Sequence, residues 1–84
     1  MESEEFGILI HSFQKNSKEQ IRIMLNEYKG TKYIDIRIFF MGKDREEYFP
    51  SKKGITLSEN KYNDLLEGCI ILGETLGYNI ETVE

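Results

Sequence analysis

The feature that most constrains this chain is the alternation running through residues 19–41, EQIRIMLNEYKGTKYIDIRIFFM. Over 19–28 the apolar Ile21, Ile23 and Leu25 take one parity, while Gln20, Arg22, Met24, Asn26 and Tyr28 take the other. Over 32–41 Ile34, Ile36, Ile38 and Phe40 share one parity, against Tyr33, Asp35, Arg37 and Phe39. Successive side chains of a strand point to opposite faces, so period two in β-branched and aromatic residues predicts two strands. Gly30 accepts a positive φ at little cost, which makes the connection between them a tight hairpin.

The flanking stretches extend the pattern. Residues 5–13 (EFGILIHSF) carry Phe6, Ile8 and Ile10 on one parity and Leu9, His11 and Phe13 on the other, a third strand. A short fourth strand is predicted over 46–49 (EEYF), ending at Pro50, which cannot donate to a ladder. Asn16 and Ser17 separate the first two strands, and Gly42–Arg45 (GKDR) separates the last two.

A helix follows. Ser58 is a candidate N-cap with Glu59 at the positive end of the dipole. Tyr62, Leu65, Leu66, Cys69, Leu72, Gly73 and Leu76 recur at helical spacing, and Gly77 suits the C′ position. The order predicts an α+β domain: a four-stranded antiparallel sheet with one helix across its isoleucine face. Arg22, Tyr28, Tyr33 and Arg37 then lie on the uncovered face, the mixture expected of a binding surface. Gly68 and Gly73 each cost about 1 kcal/mol in a helix interior. Either another backbone packs close there, such as a second copy of the helix, or the helix tolerates them.

Eighty-four residues make a single domain (1–84), with a core over about 5–77, an acidic start and a polar tail at 78–84. So small a core gains from a partner subunit. The formal net charge of -4 is unevenly placed: residues 15–53 hold ten Lys and Arg against six acids, whereas 54–84 hold Lys61 against six. A polyanion meets the local potential of the middle segment, not the net charge. Cys69, the single cysteine, is expected to be a small buried hydrophobe. No segment approaches the roughly 20 apolar residues of a membrane span, and the acidic start MESEEF lacks a basic n-region. A cytoplasmic location is expected, without a membrane partner.

Enzyme readings lack parts. His11 is the single histidine and has no Cys or acid at metal-ligand spacing. Glu46 and Glu47 are adjacent and point to opposite faces of a strand. The GKD of 42–44 lacks the upstream glycine and following Ser or Thr of a phosphate loop. Neither catalysis nor a cofactor is expected.

Tyr28-Lys29-Gly30, Ile34-Asp35-Ile36-Arg37, Phe39-Phe40 and Lys52-Lys53-Gly54-Ile55-Thr56-Leu57 occur in that order before the helix. Over roughly residues 20–72 this resembles the single-stranded-DNA-binding domain of the transcriptional coactivator positive cofactor four and its short bacterial relatives. The resemblance implies a strongly curved four-stranded antiparallel sheet, one C-terminal helix, and a homodimer formed through the helices. It implies channels that hold single-stranded DNA with little sequence preference. Tyr28 would stack on a base beside Lys29, Arg37 would lie in the channel, Phe40 would take the place of a stacking tryptophan, and Lys52, Lys53 and Gly54 would form a basic rim. Phe49 and Thr31 stand where eukaryotic members carry lysines, with Lys32 adjacent. In a regular strand Phe40 shares the isoleucine face; a bulge would rotate it out, or else Phe39 is the stacking residue.

Basic side chains interleaved with aromatics suit single-strand binding, each stacked base contributing about 1–3 kcal/mol. Tyr28, Lys29, Lys32, Tyr33, Arg37, Phe39, Phe40, Lys52, Lys53 and Gly54 are the candidate contacts. The expected function is a homodimeric single-stranded DNA binder in transcription or repair. The alternative is a module that recruits a transcription or repair protein, or a single-stranded RNA binder.

Overall fold

The computed structural model describes residues 7–78. Strands β1 (Ile8–Gln14), β2 (Glu19–Tyr28), β3 (Thr31–Met41) and β4 (Tyr48–Ser58) pair in the order β1-β2-β3-β4, an open antiparallel meander. A 3-10 turn over Glu59–Lys61 leads into α1 (Tyr62–Leu76). The start of the expected first strand, the acidic N-terminus and residues 79–84 of the tail lie outside the described residues.

The β2–β3 hairpin is the spine of the sheet. Its ladder is unbroken from Glu19 opposite Phe40 to Tyr28 opposite Thr31. Lys29 and Gly30 make the two-residue turn with φ of 53° and 81°. Positive φ at both turn positions is the type I′ arrangement, whose twist matches that of paired strands. The outer strands are less regular. Ile10 is an extra residue in β1, because Leu9 faces Met24 and His11 already faces Ile23. In β4, Ser51, Lys52 and Lys53 bulge opposite Ile38 alone, because Gly54 faces Arg37 and Pro50 faces Phe39. Such insertions bend the strand and sharpen its local twist.

Register assigns the two faces. Ile21, Ile23 and Leu25 lie opposite Ile38, Ile36 and Ile34, giving the predicted isoleucine face. The β1 bulge brings Ile8, His11 and Phe13 onto that face together, where strict alternation separated them. Met24, Asp35, Arg37 and Phe39 share the other face, and it is this face that carries the best-buried side chains. Phe39 is 1% exposed and Met24 3%. Fully burying a side chain of either kind is worth about 1.5–3 kcal/mol.

Four expectations are corrected. The fourth strand is not a four-residue piece ending at Pro50; it runs on to Ser58, because Pro50 lies in an outer strand where a missing N–H is tolerated. The helix begins at Tyr62, after a 3-10 turn that uses the predicted cap Ser58 as its own first flank. Nor does α1 cover the isoleucine face. No residue of α1 is buried, Leu66, Ile71, Leu72 and Leu76 are exposed, and Ile55 and Phe13 on the sheet are exposed as well. Cys69 is exposed for the same reason. Gly77 does end the helix in a left-handed conformation: its N–H donates to Glu74 O, and that of Tyr78 to Gly73 O, a Schellman closure.

Candidate nucleic-acid interface

On the face opposite the isoleucines, Met24, Asp35, Arg37, Phe39, Pro50, Ser51 and Lys52 line an open groove of about 560 Å³. The β4 bulge forms one wall. Ser51 shapes it: its hydroxyl donates to Ile38 O (2.8 Å) and accepts from the Lys53 N–H (3.1 Å). Gly54 follows because nothing larger fits. A Cβ there would stand 2.6 Å from Ile36 O and 2.9 Å from Arg37 Cα.

Arg37 is anchored from three sides. Its Nε donates to both Asp35 oxygens (3.1 and 3.3 Å), and one terminal nitrogen lies 3.1 Å from Asp35 Oδ1. The nitrogen beside Asp35 also donates to Thr56 Oγ1 at 3.4 Å, and the other terminal nitrogen donates to Ser51 O at 3.1 Å. The planar guanidinium suits such a bidentate hold, and the half-buried setting strengthens it. Among the described residues no buried side-chain N or O lacks a partner.

The candidate residues divide between surfaces. Tyr28, Tyr33, Arg37, Phe39 and Lys52 belong to the groove face. Tyr28 is 64% exposed at the hairpin end, with Lys29 Nζ 5.3 Å from its ring centre. Tyr28 faces Thr31, six residues from Arg37, so the two stations stand about 20 Å apart at roughly 3.4 Å per residue. Lys32, opposite Glu27, and Phe40, opposite Glu19, lie on the isoleucine face. Phe40 is 44% exposed and packs against Phe49, ring centres 6.1 Å apart.

The choice between Phe39 and Phe40 resolves against both as stacking platforms inside the groove. Phe39 faces the groove side but is covered by the Arg22 guanidinium, 4.5 Å above its ring. Phe40 is open but on the other face, since the bulge lies in β4 and leaves β3 regular. Phe39 therefore forms a buried part of the groove wall under Arg22, and Gly54 contributes through close packing.

Lys53 takes the other side of the bulge from Lys52. It is near enough to Glu19, the partner of Phe40, to help lower that carboxylate. The larger causes are hydrogen bonds from Asn16 (2.8 Å) and Lys15 (3.3 Å), which hold the Glu19 carboxyl below its ordinary value. Arg22, Pro50 and Ser51 were absent from the sequence-derived contacts. Parity with Tyr28 had placed Arg22 on the binding face without making it a contact; Pro50 and the bulged Ser51 carried no signal.

Among the described residues no group of three or more His, Cys, Asp or Glu is placed to hold a metal ion, and no helix is long and apolar enough to cross a membrane. The family described as Transcriptional Coactivator p15 (PC4) matches residues 15–68, from the β1–β2 turn into α1. The chain belongs to the PC4 family. Its sheet-then-helix architecture is the PC4-like fold. A PC4 homolog from Burkholderia pseudomallei superimposes with a TM-score of 0.75 at 24% identity, covering 86% of this chain and 96% of that one. A bacteriophage T5 homolog of PC4, implicated in recombination-dependent DNA replication, gives 0.63 at 22% identity and covers 77% of each. In sequence, the chain is 33% identical over 55 residues to the RNA polymerase II transcriptional coactivator SUB1 of Saccharomyces cerevisiae. That match takes in 66% of this PC4 chain but spans only 19% of the yeast protein.

Proposed function

We propose that this chain binds single-stranded DNA with little sequence preference, as a homodimer, and serves transcription as a coactivator or regulator, or DNA repair as an accessory protein. The observation that carries the reading is the spacing of groove-face stations. An exposed tyrosine and a lysine-rimmed groove about 20 Å apart along one hairpin suit an extended polymer better than a compact ligand. Membership of the PC4 family supports the choice of DNA. The reading assigns the chain no catalysis and a cytoplasmic site of action.

The dimer has its own support. One face of the sheet and the apolar residues of α1 are both uncovered. Contiguous apolar surface of this kind marks an interface, and a second copy of the chain is the occupant we assign to it.

Fluorescence-anisotropy titration of oligo(dT), duplex DNA and RNA at two salt concentrations tests the reading. Oligo(dT) should bind tightest, with log K falling against log salt by about 0.7 per phosphate neutralised. Exchanging Lys52 and Lys53 together for Ala should flatten that slope. An absence of oligo(dT) binding at physiological salt overturns the proposal.

A further inference from the structure

Arg22 on β2 and Arg37 on β3 are direct cross-strand partners on the groove face. Two like charges in directly opposed positions destabilise a sheet, so each needs its own compensation, and the two receive it differently. Arg37 is engaged at every guanidinium nitrogen by Asp35, Ser51 and Thr56. Its charge is met by a carboxylate, and its donors are spent on the wall of the β4 bulge. Among the described residues Arg22 has only Gln20 Oε1 on its Nε (3.0 Å). Its guanidinium lies 4.5 Å from the Phe39 ring centre and 5.6 Å from that of Tyr48. Among the described residues no carboxylate pairs with it, and its terminal nitrogens carry no protein hydrogen bond. Stacked on aromatic faces, the fork is held in place with its edge free.

We infer that Arg22, which flanks the groove over Phe39 and Tyr48, is the arginine that receives a backbone phosphate there, and that Arg37, in the groove wall, is a positioning residue that braces the bulge carrying Lys52. A preheld, unneutralised guanidinium gains a full ion pair from a phosphate. Arg37 would first have to give up Asp35. The inference rests on the single-strand reading for the polymer, but the arginine assignment can be tested without it.

Arg22→Met keeps a flexible apolar cover over Phe39 while removing the charge, and Arg22→Lys keeps the charge. Arg22→Met should flatten the salt slope of oligo(dT) binding by about 0.7 for the lost phosphate, and Arg22→Lys should restore most of it. Arg37→Met should change the slope less than Arg22→Met does and should speed amide hydrogen exchange at Lys53, whose N–H the bulge holds on Ser51. Independently, the arginine Nε–Hε NMR signals titrated with inorganic tripolyphosphate should move for Arg22 and stay for Arg37. A slope lost in Arg37→Met and kept in Arg22→Met, or a tripolyphosphate shift at Arg37 alone or at neither arginine, overturns the assignment. If wild type fails to bind oligo(dT) yet Arg22 responds to tripolyphosphate, the single-strand reading fails and the anion site stands.

Discussion

Gly54 sits where β4 presses closest to β3. The two nearest atoms a methyl group would meet are Ile36 O and Arg37 Cα, backbone on both counts, so neither can swing aside. Gly54→Ala should cost about 1–3 kcal/mol by overpacking, read as a lower denaturant midpoint at unchanged m-value. Tyr28 presents the opposite situation. It is exposed and supports no core, so Tyr28→Ala should leave stability within about 0.5 kcal/mol. The same substitution should weaken oligo(dT) binding by about 1–3 kcal/mol, the loss of one stacked base. Unchanged affinity in that titration would remove Tyr28 from the interface. Phe39 completes the set: its burial under Arg22 makes it a stability residue, and Phe39→Ala should cost about 3–5 kcal/mol.

Among the elements, the β1–β2 turn is held by Glu19, whose carboxylate accepts from Asn16 and Lys15 and whose backbone carbonyl accepts from both of their N–H groups. Because those contacts lower its folded pKa, their stabilisation is present above the ordinary carboxylate range and is lost as pH falls through the lowered value. Amide exchange at Lys15 and Asn16, corrected for intrinsic rates, should therefore accelerate in acid before that of the β2–β3 ladder. In α1, a Cβ on Gly68 meets nothing within 4 Å. Gly68→Ala should stabilise an unpartnered helix by about 1 kcal/mol; loss of dimer mass instead would place a partner backbone against that position. The β2–β3 hairpin and its turn were readable because residues 19–41 keep period two without interruption. The existence of β4 was legible but its extent was not, since its bulge at Ser51–Lys53 breaks parity and Pro50 and Gly54 resemble loop punctuation. The apolar stripe of α1 was legible too, but a stripe states that a face wants cover, not what supplies it. The same limit applied at Phe39 and Phe40: parity separated them, while the arginine that covers one of them comes from another strand.

For the whole molecule, the uncovered helix and isoleucine face make association the central prediction. Sedimentation equilibrium at micromolar concentration should return twice the chain mass of 9.9 kDa; a monomer would remove the dimer from the proposal. Among the described residues the sheet is open, so β1 and β4 present rows of outward N–H and C=O groups along its two borders. Borders of that kind invite foreign strands and, in the worst case, fibres. Here both are interrupted: β1 by the extra Ile10, β4 by Pro50 and by three bulged residues of which two are lysines. An incoming strand would lose its hydrogen-bonding rhythm within a few residues on either side. The bulge that raises a groove wall thus also breaks the regular border on which an incoming strand would pair.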